Sequence, residues 1–479
     1  MCAGLFPQQF PWVARLPAPL LSFRPSGPGF RLGQLVCPTY ACLDESRAHA
    51  SCILGPARGR RIRRLFPREV HFLPPGASAR LAGKLPRRPT SLFPSDYNII
   101  KGGTSMRSTK VILAILLSIA MLFACTGCGE KEVTEYVIGF VGPLTGASAQ
   151  DGQDALEGAQ LYVDQINAAG GIDGIPLTLN VQDDKGDPKE AAIVANMLAQ
   201  DESVLAIVGH YNSSCTLAGA PIYNEAGVAA IAYGSSSPAV TEAGPYIYRT
   251  IPSDDVGGRM VAQWAFADLS PTKAAIVYEN NDYGLGTATI YKEECEAAGV
   301  EVVAYENYIP DETTDFTTML TKIKESGAEV MLLATLYNET AMFAKQAQLL
   351  GLSLPMYGVD ALYQPALIEL GGDAVEGLTI SAFFSMDNPD PAVQEFVEAF
   401  RAKYDSDPAT YHAYAYDATM CIVEAIKASG PDREKINEYL TTLSGLSGAS
   451  GVNSFDENGD VLKDAIRIVI QDGKFTVVQ

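Results

Sequence analysis

The chain has 479 residues and a net charge of −21, from 35 Lys and Arg against 56 Asp and Glu. Residues 1–105 contain 15 basic and 4 acidic residues, which leaves 35 − 15 = 20 basic and 56 − 4 = 52 acidic residues for the remainder. This reversal of charge excludes a single uniform domain. The acidic remainder also disfavours a nucleic-acid partner, because a polyanion would be repelled.

Residues 1–105 are predicted to be disordered and to lie outside the functional protein. They carry 14 of the 29 prolines and lack periodic apolar patterning. The segment that begins at Met106 has the arrangement of a secretory signal peptide: a basic start, an apolar run from Val111 to Ala124, and then small residues. Since a signal peptide does not act inside a chain, we expect translation to start at Met106 and residues 1–105 to be a misassigned upstream extension. A basic tail that binds nucleic acid is the alternative.

The end of this segment, Leu122 to Gly129, resembles a bacterial lipobox, in which a small residue precedes a lipidated cysteine. Either Cys125 or Cys128 would carry the lipid, so residues 106–128 are predicted to be a lipoprotein signal peptide. Residues 129–135 would then be a short tether that holds the protein at the outer face of a membrane. Ordinary signal peptidase cleavage is the alternative.

From Tyr136 onward, short apolar strands alternate with segments of helical periodicity. The predicted strands are 136–141, 177–181, 204–208 and 228–232, followed by 274–278, 301–305, 330–334, 356–359, 378–383, 467–470 and 474–478. The predicted helices include 155–166, 191–198, 218–225, 317–325, 340–350, 393–404 and 414–427. Alternation of strand and helix favours parallel sheets covered on both faces, and its restart near residue 274 predicts two α/β lobes in tandem.

Two hydroxyl-rich loops follow adjacent predicted strands of the first lobe, where ligands of open parallel sheets bind. The first runs from His210 to Thr216 with Ser213, and the second from Tyr233 to Pro238 with Ser235 and Ser236. Unpaired N–H groups and a partial positive charge at helix N-termini, together with serine hydroxyls, bind carboxylate or phosphate. Serines that only cap helices are the alternative, but two such loops side by side favour a bound anion.

The second lobe offers partners for an ammonium group. Glu339 and Asp360 each follow a predicted strand, and their carboxylates would accept charge-assisted hydrogen bonds from a zwitterion. A solvated loop acid is the alternative for each of them. Tyr283 is placed to cover the ligand from the second lobe, and packing on its own loop is the alternative.

Signatures of catalysis, metal binding and cofactor binding are absent from the sequence. It contains no P-loop, no zinc-protease motif and no nucleophile elbow. His210 and His412 are the only histidines after residue 105, so a Ser-His-Asp triad would need one of them without a supporting motif. Cys215, Cys295 and Cys421 are far apart and odd in number, and we predict that they are buried and unpaired. No metal, no cofactor and no enzymatic reaction are expected.

An ordered set of motifs runs through residues 136–479. It comprises Ile138-Gly139, Gly142 to Gly146, Gly158-Ala159, Ile166-Asn167, Gly170 to Ile172, Asp183-Asp184, Asp187-Pro188, Ile207 to His210, Tyr283-Gly284, Asp315 to Thr317, Glu376 to Leu378 and Tyr414 to Ala418. This set resembles the type I periplasmic binding proteins, most closely the branched-chain amino acid (Leu/Ile/Val) receptors of ABC transporters. The resemblance implies two Rossmann-like lobes with parallel sheets joined by a multi-strand hinge. Lobe one would take residues 136–255 and 385–455, and lobe two 256–384 and 456–479.

The resemblance also implies roles for individual residues. Ser213 and Ser236 match positions that bind the ligand carboxylate through side chain and backbone N–H, and Gly234 matches the position whose carbonyl receives the ammonium. Glu339 and Asp360 match acids that neutralise the ammonium in different members, so both stay candidates. Tyr283 likewise matches the aromatic lid.

Three positions depart from the family pattern. Asp151 stands where aliphatic-binding members commonly place tyrosine, and Tyr211 and Asn212 lie near the side-chain pocket. An unpaired aspartate at an apolar pocket would cost several kcal/mol, so Asp151 either points to water or marks a ligand with a polar side chain or amide. The family's lobe-one disulfide is also missing, since Gly186 and Asn212 occupy its two positions.

The function that the resemblance implies is capture of a solute by hinge closure. A small amino acid-like ligand would dock on lobe one, lobe two would close over it, and a membrane permease would recognise the closed form. Three alternatives remain: a sensory receptor of the same fold, an α/β hydrolytic enzyme that uses Ser213 or His210, and a structural lipoprotein or adhesin.

Overall fold

The computed structural model describes Leu113, residues 133–310 and residues 312–478. From residue 133 onward these residues belong to one compact unit. The predicted upstream extension and both candidate lipidation sites, Cys125 and Cys128, lie outside the described residues and stay predictions. Within the described ranges, no helix has the length and apolar character needed to cross a bilayer.

The first sheet has five parallel strands in the order β2-β1-β3-β4-β5. Its strands are β1 (Tyr136–Gly142), β2 (Leu177–Asp183), β3 (Val204–Val208), β4 (Ala230–Ala232) and β5 (Ile247–Arg249). The helices between them are α1 (Ala149–Ala168), α2 (Pro188–Gln200) and α3 (Ser213–Ala226), with a 3₁₀ turn at Pro238–Glu242. Each crossover therefore returns the chain in the same strand direction, as βαβ units require.

The second sheet has seven strands in the order β14-β13-β10-β9-β8-β6-β7. Its strands are β6 (Lys273–Glu279), β7 (Glu301–Tyr308), β8 (Val330–Ala334), β9 (Met356–Gly358), β10 (Thr379–Ala382), β13 (Ile466–Gln471) and β14 (Lys474–Val477). Its helices are α4 (Asp254–Leu269), α5 (Asp282–Ala298), α6 (Thr317–Ser326), α7 (Tyr337–Leu349) and α8 (Pro365–Gly371). Only the pairs β10–β13 and β13–β14 are antiparallel. The predicted α/β fold with mostly parallel sheets is confirmed.

Burial explains why these segments form central strands. β3 and β8 are five-residue apolar runs that are buried along their whole length. Runs of this kind are typical of parallel strands that are covered by helices on both faces. Local signals end the helices between them: α3 stops at Gly227, which adopts a left-handed conformation with φ of 64°.

After β10 the chain returns to the first lobe. Helices α9 (Pro391–Tyr404), α10 (Thr410–Ser429) and α11 (Arg433–Leu440) and the strands β11 (Leu446–Gly448) and β12 (Gly451–Asn453) complete it. α10 packs along α1, and the core of the first lobe joins these helices to β1, β3 and β4. The connection is close at Gly158, where a Cβ would lie 2.0 Å from the carbonyl oxygen of His412.

The chain crosses between the lobes three times. The second crossing was predicted at residue 385 and the third at residue 456. In the structure Phe383 and Phe384 already pack in the core of the first lobe. Val461 also belongs to that core, and it forms a β-bridge with Phe455. The bounds of the two lobes stay a prediction.

Candidate ligand-binding site

The strand order places two switch points opposite each other. β1 lies between β2 and β3, and β6 lies between β7 and β8, so successive crossovers leave each sheet on opposite sides at these strands. Ligands of open α/β sheets bind at such points, beyond the carboxyl ends of the strands. Four helices begin there, α1 and α3 in the first lobe and α5 and α7 in the second.

Two cavities lie between the lobes at this place. The inner cavity has a volume of about 20 Å³ and is lined by Tyr211, Asn212, Ser213, Gly234, Ser236, Ile251, Glu279, Asn281, Tyr283, Leu336, Asp360, Ala361 and Tyr411. Seven of the ten predicted ligand-binding residues are in this set. The structure therefore brings together the two serine-bearing loops of the first lobe with Tyr283 and Asp360 of the second.

The second cavity, which we call the acidic cavity, has a volume of about 70 Å³. Its walls include Ser148, Asp151, Lys185, Gly186, Asn212, Glu279, Asn281, Leu336, Tyr337, Asn338 and Glu339. Asn212, Glu279, Asn281 and Leu336 line both cavities, so the two adjoin. Asp151 and Glu339 thus line the acidic cavity, and Asp360 lines the adjoining inner cavity.

The three predicted serines differ in what their hydroxyls do. Ser213 Oγ accepts a hydrogen bond from the N–H of Ser237 at 3.2 Å, which leaves its own proton for a ligand. Ser236 Oγ donates to Asp254 Oδ2 at 2.9 Å, so this hydroxyl is committed to a protein acceptor. Ser235 lines neither cavity; its Oγ lies 2.6 Å from Thr216 Oγ1, and its role is to hold the two loops together.

Gly234 has a steric reason to be glycine. A Cβ at this position would lie 2.4 Å from Cδ2 of the Tyr211 ring. The ring of Tyr211 in turn stands edge-on to Tyr411, with ring centroids 4.9 Å apart. The loop after β4 therefore packs directly on the aromatic wall of the inner cavity.

Two buried carboxyl groups stand beside the serines. Burial and the neighbouring Asp254 carboxyl raise the pKa of Asp360 to about 8, while the Tyr414 hydroxyl donates to it at 3.3 Å. Burial also raises the pKa of Asp254 to about 6, although the hydroxyls of Thr287 and Ser236 oppose the shift. Asp360 therefore lines the inner cavity beside Ser213 as an acid whose charged form a nearby cation would favour.

Tyr283 is buried on the first turn of α5. Its hydroxyl donates to the carbonyl oxygen of Thr335 at 3.4 Å, which joins the loops that follow β6 and β8. The side chain therefore lines the inner cavity and is fixed by its own lobe.

Asp151 is fully buried on the first turn of α1. Gln364 reaches across from the second lobe, and its Nε2 donates to Asp151 Oδ1 at 2.7 Å. The other oxygen, Oδ2, is buried without a hydrogen-bond partner in the described part of the chain. Asp151 is therefore not exposed to bulk water in this structure.

The pKa of Asp151 makes a testable prediction. Burial raises this pKa from 3.8 to about 8. The stability linked to the protonated acid is therefore fully present below pH 3.8 and is lost as the pH rises through about 8. The groups that face Asp151 are Asp154, Tyr211, Glu339 and Gln364. We expect Asp151→Asn to raise the melting temperature of the ligand-free protein, relative to wild type, more at pH 8 than at pH 5.

Differential scanning fluorimetry at the two pH values would measure this difference. Asp173→Asn is the matched control, because Asp173 is an exposed turn residue. A gain in melting temperature for Asp151→Asn that is equal at both pH values, or larger at pH 5, would contradict the expected ionisation of Asp151.

The sequence did not reveal the residue that fixes the second serine loop. Arg249, at the end of β5, is fully buried and donates through Nη1 to the carbonyls of Ser235 (3.3 Å) and Ser237 (2.9 Å). Its Nε pairs with Asp460 at 2.6 Å. A lone arginine after a three-residue strand is a weak signal, and Asp460 lies 211 residues away along the chain.

Both histidines of the described residues are occupied by structural partners. His210 Nδ1 lies 2.7 Å from Asp184 Oδ2, and its Nε2 lies 3.0 Å from the Tyr223 hydroxyl. His412 Nδ1 accepts from the N–H of Ala409 at 2.9 Å. Within the described ranges, no three His, Cys, Asp or Glu side chains are grouped to hold a metal. The predicted burial of unpaired Cys215, Cys295 and Cys421 is confirmed.

The positions of the family disulfide are adjacent in space. A Cβ on Gly186 would lie 3.1 Å from Asn212 Oδ1. The two loops therefore meet here through non-covalent contact.

Known proteins share this architecture. The model of the periplasmic binding protein family matches residues 135–474. An amino acid binding protein from Pseudomonas aeruginosa is 32% identical over 356 residues, which cover 74% of this chain and 93% of that protein. Leu/Ile/Val-binding protein homolog 1 from Brucella abortus is 30% identical over 347 residues, which cover 72% of this chain and 92% of that protein.

A solved structure extends the comparison to three dimensions. The branched-chain amino acid transporter substrate binding protein LivJ from Streptococcus pneumoniae, in complex with isoleucine, is 28% identical and aligns with a TM-score of 0.67. The match covers 72% of this chain and 99% of that one. Two α/β lobes around a cleft lined by fixed polar groups define a class of solute-binding proteins.

The chain belongs to the periplasmic binding protein family, in the group of branched-chain amino acid receptors of ABC transporters. The resemblance read from the sequence motifs is thereby confirmed.

Proposed function

We propose that the protein is an extracytoplasmic substrate-binding lipoprotein of an ABC transporter. It captures an α-amino acid in the cleft between its lobes and delivers it to a membrane permease without chemical change. The signal-peptide order after Met106 and the lipobox-like segment around Cys125 and Cys128 support export and anchoring. The transporter relatives support the permease partner.

The observation that carries the proposal is the composition of the inner cavity. The Ser213 hydroxyl lies at the N-terminus of α3, where N–H groups and the helix dipole favour an anion. Asp360, from the opposite lobe, lines the same cavity. A donor-rich wall facing a buried acid suits the carboxylate and ammonium of one zwitterion.

Asp360, and not Glu339, is the proposed partner of the ammonium group. Asp360 lines the inner cavity together with Ser213 and Gly234, whereas Glu339 lines the acidic cavity. A zwitterionic head group spans only a few bonds, so its two charges need partners in one cavity. Of the two acids that the sequence motifs leave open, the proposal therefore favours Asp360.

Contacts between the lobes support hinge closure as the mechanism of capture. Ser237 Oγ donates to the carbonyl of Asp282 at 2.9 Å, and Gln364 donates to Asp151 at 2.7 Å. Each contact joins the first lobe to the second, so opening the cleft breaks both. A ligand that adds contacts to both lobes shifts the equilibrium toward the closed form.

The hydrolytic alternative loses His210 as its general base. The ring nitrogens of His210 contact Asp184 and Tyr223, which leaves neither nitrogen to activate a serine hydroxyl. The proposal therefore assigns no reaction to the cleft.

Ser213→Ala tests the proposed carboxylate site. A hydrogen bond to a charged group contributes about 1.5–3 kcal/mol, so we expect affinity for the tightest-binding amino acid to fall by roughly tenfold or more. Isothermal titration calorimetry against a panel of amino acids would measure this change. Ser203→Ala, in an exposed turn, is the control for a lost hydroxyl. Wild-type affinity in the Ser213 variant would refute the assignment of the carboxylate.

A further inference from the structure

The acidic cavity has a charge that an aliphatic ligand does not match. Asp151, Glu279 and Glu339 all line it and are at least nine-tenths buried. Glu279 already accepts hydrogen bonds from Asn281 and from the Tyr308 hydroxyl. The one basic residue in the lining, Lys185, has a half-exposed side chain that pairs with Glu190 at 3.4 Å. Acid therefore predominates inside, and the base lies at the rim.

Asp151 adds a buried acceptor that the protein satisfies only in part. Burial raises the pKa of this carboxyl, and the Tyr211 hydroxyl lowers it against that effect. The carboxyl oxygen Oδ2 is buried without a hydrogen bond, although Oδ1 is held by Gln364. Leaving such a group without a hydrogen bond is unfavourable. Protonation changes the requirement, because a protonated Oδ2 donates and then needs an acceptor, such as the Asn212 Oδ1 in the lining of the same cavity. The ionised form needs a donor at Oδ2, and an N–H group of a ligand in the acidic cavity would supply it.

Asn212 also presents a buried oxygen without a hydrogen bond in the acidic cavity. Its side-chain Oδ1 is buried and has no hydrogen-bond partner among the described residues. Two acceptors without donors thus line one space that adjoins the site proposed for the head group. A side chain with several N–H groups would satisfy both, whereas a branched aliphatic side chain would satisfy neither and would leave the acids facing hydrocarbon.

We propose that the ligand is an α-amino acid with a cationic side chain, an ammonium or guanidinium group that donates to Asp151 in the acidic cavity. This inference rests on the proposed function, since it takes the head group to bind Ser213 and Asp360. It goes beyond that function by assigning the side-chain class and the residue that selects it. Burial of Asp151 favours its neutral form in the ligand-free closed state, and a cation beside it restores the charge.

The test is calorimetry of the full mature protein against three groups of probes. The first contains L-arginine, L-lysine and L-ornithine; the second contains L-leucine, L-isoleucine and L-glutamine; the third contains agmatine and 1,5-diaminopentane, which lack the carboxylate. We expect at least one basic amino acid to bind about tenfold or more tighter than leucine and glutamine. Tighter binding of leucine, isoleucine or glutamine than of every basic amino acid would overturn the inference.

Two substitutions test whether the charge of Asp151 selects the ligand. Asp151→Asn keeps the shape of the side chain and removes its charge, so we expect the affinity for the basic amino acid to fall by about 10-fold to 150-fold. Asp151→Leu is expected to reverse the preference toward leucine. Unchanged affinity for basic amino acids in Asp151→Asn would also overturn the inference. The melting temperature of each variant reports whether it is folded.

The probe groups separate failure of the inference from failure of the proposed function. Leucine binding that depends on Ser213, without binding of basic amino acids, leaves the proposed function intact and removes the inference. Binding of the two diamine-type probes that depends on Asp151, without binding of any amino acid, keeps the cation site and removes the amino acid head group. Binding of none of the probes overturns both.

Discussion

Arg249→Leu is expected to lower the free energy of unfolding by about 3–5 kcal/mol, the usual cost of removing one partner of a buried ion pair. Arg249 is fully buried, and its guanidinium contacts the Asp460 carboxylate, the Thr241 hydroxyl and two carbonyls of the second serine loop. Leucine satisfies none of these acceptors. Equilibrium unfolding in urea, monitored by circular dichroism, would measure the loss.

Two further variants show whether the buried charge is the cause. Arg259→Leu removes an arginine that also forms several ion pairs, but its side chain is 36% exposed, so we expect a loss of about 1 kcal/mol or less. Asp460→Leu combined with Arg249→Leu removes both charges and should recover part of the stability. Equal losses for Arg249→Leu and Arg259→Leu would be incompatible with this explanation.

Asp360→Asn is expected to weaken binding of every α-amino acid by about 10-fold to 150-fold, corresponding to a charge-assisted hydrogen bond of about 1.5–3 kcal/mol. Burial raises the pKa of Asp360 to about 8. An ammonium group in the inner cavity would lower this pKa and favour the ionised carboxylate. Asparagine preserves the shape and lacks that charge. Calorimetry with a series of amino acids would measure the loss.

The comparison with Glu339→Gln makes this prediction specific. Glu339 lines the acidic cavity, so its neutral variant should change the affinity for leucine by no more than about threefold, within the usual range for residues outside a contact. A ligand that lacks the α-amino group, such as 4-methylpentanoate, should not distinguish Asp360→Asn from wild type. If Glu339→Gln shows the larger loss for leucine, the ammonium assignment must move to Glu339.

Elements with an apolar pattern were predictable, including the three-residue strands β4 and β9, and elements without one were not. β3 and β8 match their predicted bounds because each is an uninterrupted apolar run with a clear end. β5 has only three residues, which end in an arginine and form no uninterrupted apolar run. α4 was not predicted, and it contains Gly257 and Gly258, whose low helix propensity weakens the local signal. Packing in the tertiary structure, which sequence periodicity does not report, stabilises such elements.

The candidate site was also predictable only in part, for the residues that follow predicted strands. Ser213 and Ser236 follow neighbouring strands of the first sheet, and Asp360 follows a strand of the second, so strand order brings each to the carboxyl edge of its own sheet. Gln364 and Arg249 reach the site through long-range contacts with Asp151 and Asp460. Contacts between residues more than 200 positions apart leave no pattern in a single sequence, so these supporting residues emerge only from the folded chain.

The contact between Gly186 and Asn212 has a consequence for how the protein matures. Because this junction is non-covalent and Cys215, Cys295 and Cys421 are buried as free thiols, the described fold contains no bond that must be oxidised after export. Burial also raises the pKa of the Cys295 thiol to about 12, which keeps it in the unreactive protonated form. Refolding yields should therefore be the same with and without dithiothreitol, and the lobes can assemble without the help of a thiol oxidase.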